Sequence, residues 1–176
     1  MNNLIAIIAG EPNSINSEII AKAWKKNNKF KNIFIIGNYT ILKKQFLKLG
    51  IKISMIKIDK IEDVKREKKL FIIDIPLKVK STFNASFIDT KNYILKSFNM
   101  AHELAKNKKI IGFINAPVDK KIFGNKYLGV TEYLAEKNGC KNKEIMLIYN
   151  KNLSVVPLTT HIEIKKITNK INLNLI

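Results

Sequence analysis

Leu4-Ile5-Ala6-Ile7-Ile8-Ala9, followed at once by Gly10-Glu11-Pro12-Asn13, decides the fold class. A short unbroken apolar run of this kind reads as a strand buried on both faces, because a strand with one wet face would alternate apolar and polar residues. The Gly, Pro and Asn that follow are turn residues. Ser17 to Trp24 then reads as a helix, with Ser17 as its cap and Glu18 set against the positive end of the helix dipole. Next come the apolar run Ile33 to Ile36, the Gly37-Asn38 break, a helix from about Thr40 to Leu49 and a strand over Ile51 to Ile58. In that strand Ile51, Ile53 and Met55 alternate with polar residues, which predicts one solvated face. The unit is βαβαβ.

Beyond the charged stretch Asp59 to Lys69, Leu70 to Ile75 reads as another buried strand, ended by Pro76, and 76–87 as irregular. Asp89 or Thr90 caps a long helix whose apolar stripe is Tyr93, Ile94, Phe98, Met100, Ala101, Leu104 and Ala105, closed by the basic run Lys106 to Lys109. Ile110 to Ile114 is a further strand, Thr131 to Lys137 a short helix, and Ile145 to Tyr149 and Leu153 to Leu158 two more strands; Glu163 to Ile171 begins a final helix. With no internal repeat and no linker, the alternation predicts an α/β fold, a mostly parallel sheet with flanking helices. The chain reads as one region, 1–176, divisible into lobes of about 1–88 and 89–176.

The 176 residues, 46% of them hydrophobic, suffice for one core. The net charge of +18 comes from 32 basic and 14 acidic residues, a balance that ordinarily raises nucleic acid or an anionic membrane as partner. Only Arg66 is arginine, however, and the lysines are spread along the chain, whereas nucleic-acid sites gather Arg and Lys on one face with aromatic platforms between. Salt-sensitive nonspecific adhesion is expected instead, with no specific nucleic acid as partner. Cys140 stands alone, which excludes an intrachain disulfide and a cysteine zinc cluster and fits a reducing cytosol. The opening residues lack a basic n-region, and no apolar run approaches the ~20 residues of a membrane span, so a soluble, cytoplasmic protein without a membrane partner is expected.

Ligands of open α/β sheets collect beyond the carboxyl ends of the strands. Three such places stand out. Gly10-Glu11-Pro12-Asn13-Ser14 holds one glycine, neither a G-x-G-x-x-G series nor a Walker A loop, and is either a tight strand-to-helix turn or a ligand loop. Asn115-Ala116-Pro117-Val118-Asp119-Lys120 is a polar, Pro-stiffened loop whose Lys120 could hold an anionic substrate as a point charge. In so lysine-rich a chain, composition alone favours a merely solvated lysine. Thr159-Thr160-His161 puts one of two histidines where a parallel sheet presents it to a cleft, able to bind a metal or move a proton. One histidine is not a metal site, and His102, within the long helix, reads as structural.

In order and spacing these segments resemble the 4-hydroxythreonine-4-phosphate dehydrogenases of vitamin B6 biosynthesis. A-G-E-P-N-S-I-N-S-E-I, from Ala9 to Ile19, is similar to that family's G-D-P-x-G-I-G-P-E-I element, with Glu11 for Asp. N-A-P-V-D-K, Asn115 to Lys120, resembles its T-x-P-x-x-K loop; G-V-T-E-Y-L-A-E, Gly129 to Glu136, its G-H-T-E-x-L-A-E segment; and L-T-T-H-I, Leu158 to Ile162, its T-T-H-x-P-L segment. The resemblance covers the whole chain but only the N-terminal half or so of the family.

The resemblance implies a fold similar to isocitrate and isopropylmalate dehydrogenases, which bind NAD without a G-x-G-x-x-G turn. It implies oxidation of 4-phosphooxy-L-threonine by NAD (or NADP), then decarboxylation to 3-amino-2-oxopropyl phosphate, with a divalent metal (Zn, Mg or Co) polarising the alcohol and stabilising the enolate. His161 matches the first of three metal-binding histidines, and Thr131 the second half of a substrate-binding His-Thr pair whose first half is Val130 here. Asn115 and Lys120 fall in the substrate loop. A valine donates no hydrogen bond, which would weaken substrate binding by about 1.5–3 kcal/mol. The family's later motifs, with two more metal-binding histidines and a Lys, Asn and Arg, have no counterpart before Ile176, so these residues alone are expected to be inactive as a dehydrogenase. The complete protein is expected to be a homodimer acting on a phosphorylated amino acid.

Overall fold

The computed structural model describes residues 3–26, 32–65, 67–141, 143–159 and 162–171. They form two compact units, Met1–Ile122 and Phe123–Ile176.

The first unit carries β1 (Ile5–Ile8), α1 (Asn16–Lys26), β2 (Ile33–Gly37), α2 (Tyr39–Lys48), β3 (Met55–Ile58), β4 (Leu70–Asp74), α3 (Phe87–Lys106) and β5 (Gly112–Asn115). All five strands are parallel, in the order β3-β4-β2-β1-β5. The apolar runs are strands for the reason their sequence suggests: Phe34, Ile35, Ile36, Leu70 and Ile72 are fully buried, which requires cover on both faces. In register, Ile7, Ile35 and Ile72 share one face, and the period of two sends Ile8, Ile36 and Ile73 to the other. Helices α1 and α2 close the first face through Ile20, Ala21, Leu42 and Phe46. Helix α3 lies on the second, burying Thr90, Tyr93, Ile94, Ser97, Phe98, Ala101 and His102 at helical spacing. Full burial of Phe98 alone contributes about 1.5–3 kcal/mol.

The helices start where their caps permit. Helix α3 begins earlier than the apolar stripe indicates: Ser86 is the cap, its Oγ accepting from the Asp89 backbone N–H at 3.2 Å and donating to Asp89 Oδ2 at 2.6 Å. Asp89 is thus the capping partner, and Thr90 is inside the helix. Ser17, likewise, is inside α1, which starts at Asn16. The expected strand Ile51 to Ile58 is regular only over Met55–Ile58; Ile51 to Ser54 form no ladder and run irregularly out of α2. Its solvated face is Lys57, which pairs with Asp74 at 2.8 Å.

The second unit holds helix α4 (Val130–Lys137) and a small antiparallel pair, β6 (Ile148–Tyr149) with β7 (Ser154–Val155). The strands expected over Ile145 to Tyr149 and Leu153 to Leu158 shrink to two residues each, because they pair as an exposed hairpin rather than entering the sheet. The final helix expected from Glu163 is instead one 3₁₀ turn, Ile164–Lys166. Ile164, Ile167 and Ile171 have helical spacing, but Ile164 is 85% exposed, and a segment this short forms a helix only when its apolar face is packed. No helix among the described residues is long and apolar enough to cross a membrane.

Candidate functional site at the β1–β5 switch point

From β1 the chain turns to β2 on one side, and only after the α3 crossover does it return to place β5 on the other side of β1. Between β1 and β5 the direction of winding reverses, the position at which open α/β sheets take their ligands, and the loops leaving the two strands lie side by side there. Those loops are the first two places singled out from sequence, Gly10 to Ser14 and Asn115 to Lys120.

The structure joins them. The Glu11 backbone N–H donates to the Pro117 carbonyl at 3.1 Å, and Asn16 Nδ2 donates to the same carbonyl at 2.7 Å and to the Glu11 carbonyl at 3.3 Å. Gly10 makes the approach possible. Its φ is +71°, and a Cβ there would stand 2.7 Å from the Pro117 oxygen and 2.9 Å from the Ala116 oxygen.

Other side chains hold the loop from below. Asn13 exchanges two bonds with Ala85, Nδ2 to the carbonyl and Oδ1 from the backbone N–H, both 2.9 Å. Gln45, buried on α2, donates to the carbonyls of Pro12 at 2.7 Å and Thr82 at 3.0 Å. Asn38 caps α2 through Ile41 N–H and donates to the Ile75 carbonyl at 2.9 Å, while its own N–H donates to the Tyr93 hydroxyl at 3.2 Å. Burial pushes the Tyr93 hydroxyl far above the ordinary range, so it stays neutral. Asn13 and Asn16 lie within the motif from Ala9 to Ile19, whereas Asn38, Gln45 and Tyr93 belong to no motif, and only the clustering of amides around strand ends signals Asn38.

Two features of this loop point toward ligand chemistry. The Glu11 carboxyl is raised above the usual carboxylate range, chiefly by burial and further by the neighbouring Asp119 charge, against an opposing hydrogen bond from Asn13 N–H. Asn16 Oδ1 and Ser17 Oγ are buried without a hydrogen-bond partner among the described residues. Asn115 and Lys120 are both exposed, the first at the end of β5 and the second opening a 3₁₀ turn.

Thr131 and Val130 belong to the second unit, in the first turn of α4, Thr131 exposed and Val130 half-buried. Their turn is fixed from the far end of the helix. Glu136 accepts from Lys126 at 2.5 Å and from the Tyr127 hydroxyl at 2.8 Å, so the last turn of α4 grips the loop that precedes its own start. Both bonds hold the Glu136 carboxyl down at about 2. Tyr127 also meets the rings of Phe123 and Tyr133 at centroid distances of 6.4 and 5.5 Å.

His161, the expected metal ligand, and Thr160 lie outside the described residues. Among the described residues no three His, Cys, Asp or Glu side chains gather to hold a metal ion. They do not furnish a ligand set for the divalent ion that the resemblance implies.

Comparison with known proteins agrees with this architecture. The family described as "Pyridoxal phosphate biosynthetic protein PdxA" matches residues 29–176. The 4-hydroxythreonine-4-phosphate dehydrogenase of Wigglesworthia glossinidia brevipalpis is 32% identical over 181 aligned residues, covering 98% of this chain and 53% of the relative. That of Aquifex aeolicus is 32% identical, covering 96% and 53%. A crystal structure of a 4-hydroxythreonine-4-phosphate dehydrogenase from Burkholderia phymatum has the same fold, with a TM-score of 0.87 at 24% identity over 99% of this chain and 55% of that one. The chain spans about half the length of these relatives. On the match over residues 29–176, the chain belongs to the PdxA family of pyridoxal phosphate biosynthetic proteins.

Proposed function

We propose that this chain supplies the N-terminal half of a cytoplasmic, homodimeric enzyme that oxidises 4-phosphooxy-L-threonine with NAD or NADP and decarboxylates the product to 3-amino-2-oxopropyl phosphate. The observation that carries the reading is 32% identity, over nearly the whole chain, to relatives named for that dehydrogenase activity. The switch point between β1 and β5 supports it, because the two loops that meet there are segments through which the chain resembles the family.

In the reaction the carbinol carbon gives up a hydride, its hydroxyl loses a proton, and the β-keto acid then breaks its bond to the carboxylate, releasing carbon dioxide. Bound nicotinamide supplies the hydride acceptor. The chain's part is to bind and orient. Lys120 offers a point charge to the phosphate or carboxylate, and Asn115 and Thr131 offer hydrogen bonds. Val130 offers none. Half-buried in its family's histidine position, it favours a second reading, a noncatalytic lobe that binds a phosphorylated ligand.

The test is to assay the complete protein for reduced nicotinamide and carbon dioxide from 4-phosphooxy-L-threonine, and to titrate the substrate by calorimetry. One equivalent of each product is expected, with Lys120→Ala raising KM about tenfold, as loss of one charged hydrogen bond dictates. Binding without turnover would replace the dehydrogenase by the binding lobe.

A further inference from the structure

We infer that one ordered water molecule is resident beneath the Gly10 to Ser14 loop, bound by Asn16, Ser17 and Tyr93, and that its bonds stabilise the start of α1. The inference rests on the buried polar groups of the first unit, and not on the dehydrogenase reading.

The loop lies over a small cavity at the carboxyl ends of β1 and β2. The polar part of its wall is Glu11, Asn16, Ser17, Asn38, Gln45 and Tyr93, and about 10 Å³ is open inside it, close to the space one water requires. The amide donors of that wall are already committed. Both hydrogens of Asn16 Nδ2 go to the carbonyls of Glu11 and Pro117, those of Gln45 Nε2 to the carbonyls of Pro12 and Thr82, and those of Asn38 Nδ2 to the Ile75 carbonyl and the Asp74 carboxylate.

Three groups on the wall have a bond left to make. Asn16 Oδ1 and Ser17 Oγ, on residues 2% and 3% exposed, have no hydrogen-bond partner among the described residues. The Tyr93 hydroxyl accepts from Asn38 N–H at 3.2 Å and keeps its own hydrogen to give. This set is complementary to water. Tyr93 donates to it, it donates to Asn16 Oδ1, and it shares a bond with Ser17 Oγ, which makes the roughly three bonds typical of a buried water. A hard metal cation suits the set less, since it takes roughly six or more oxygen ligands.

The sequence departs from its motif at the same two positions. In the element that Ala9 to Ile19 resembles, the residues aligned with Asn16 and Ser17 are Gly and Pro, neither of which has a polar side chain. Two polar groups buried in one turn are each unfavourable unless bonded, and one shared water bonds both.

The experiment begins with a crystal structure of the complete protein in sodium chloride, repeated after exchange into rubidium chloride, an electron-rich stand-in for a monovalent cation. A water is expected about 2.5–3.0 Å from Asn16 Oδ1, Ser17 Oγ and the Tyr93 hydroxyl, with density unchanged by rubidium. Urea denaturation of Ser17→Ala then separates a bonded hydroxyl from an orphaned one. Removing a hydroxyl that a water satisfies should lower the midpoint by roughly 0.2–0.5 M, whereas removing an orphan should raise it. Thr40→Ala is the control, at the second residue of α2 as Ser17 is of α1, but exposed. Alanine is the better helix former, so propensity by itself should not lower the midpoint in either variant. Absence of density bonded to both Asn16 Oδ1 and Ser17 Oγ overturns the inference, as does density that strengthens in rubidium or a Ser17→Ala midpoint at or above that of the unsubstituted protein. The crystal reads the unsubstituted chain, so neither a variant that fails to fold nor an enzyme that fails to turn over leaves the question open.

Discussion

Asn16 Nδ2 lies 2.7 Å from the carbonyl oxygen of Pro117, a hydrogen bond that ties the first residue of α1 to the loop after β5 across 101 positions of sequence. The same amide nitrogen reaches the Glu11 carbonyl, so its two hydrogens fix the orientation of the side chain and the close approach of the two loops.

Asn16→Ala therefore removes two part-buried hydrogen bonds and costs about 1–3 kcal/mol, measured by urea denaturation. Asn16→Asp is the sharper variant. At neutral pH it sets a carboxylate against two carbonyl oxygens, so it should be less stable than Asn16→Ala, and the gap should close as the pH falls below about 4 and the acid becomes a donor.

Gly10→Ala tests the close approach. A Cβ at φ +71° is strained, and it would meet the Ala116 and Pro117 oxygens closer than 3 Å. The expected loss is about 2–4 kcal/mol, accompanied by faster hydrogen exchange at the Glu11 amide as its bond to Pro117 opens. Gly50→Ala is the control: its φ is +67° but nothing lies within 4 Å of the added Cβ, so it should show the backbone strain alone.

Glu136 contributes to the acid response of the second unit. Its carboxyl is held at about 2 by the Lys126 and Tyr127 hydrogen bonds, below its ordinary value near 4.5. A depressed folded value means stabilisation that is present above the unfolded value and is lost as pH falls from about 4.5 through 2. Glu136→Gln should flatten that acid limb, and chemical shifts of Gly129 to Thr131 should move in the variant at neutral pH. An unchanged limb would show that the bonds hold no stability.

Val130→His introduces the side chain that the family resemblance implies beside Thr131. One hydrogen bond to a charged group should raise affinity for a phosphorylated substrate in the complete protein about tenfold, read by calorimetry. Val130→Asn, which donates but does not titrate, should give part of the gain with no dependence on pH between about 5 and 8.

Much of the fold is legible in the chain's own pattern. Strands β2 and β4 announce themselves as apolar runs because burial on both faces leaves almost no position for a polar residue. The stripe from Tyr93 to Ala101 likewise shows α3, since one helical face must be dry. The start of α3 was less legible, because Phe87 and Ile88, 54% and 60% exposed, interrupt the pattern before the Ser86 cap is reached. The segment after Glu163 misled for the converse reason: its isoleucines have helical spacing but no surface to bury them.

The candidate site divides in the same way. Gly10, Glu11 and the Asn115 to Lys120 loop could be marked from sequence, because they follow strands and a parallel sheet gathers its strand ends on one side. Their union could not. The strand order β3-β4-β2-β1-β5 alone makes β1 and β5 neighbours, and only then do Glu11 and Asn16 meet Pro117. Sequence by itself determined the alternation of elements and the family, through periodicities and motifs that are local properties of the chain. Tertiary structure decided which strands adjoin and which amides bridge them, because those depend on contacts between residues a hundred positions apart.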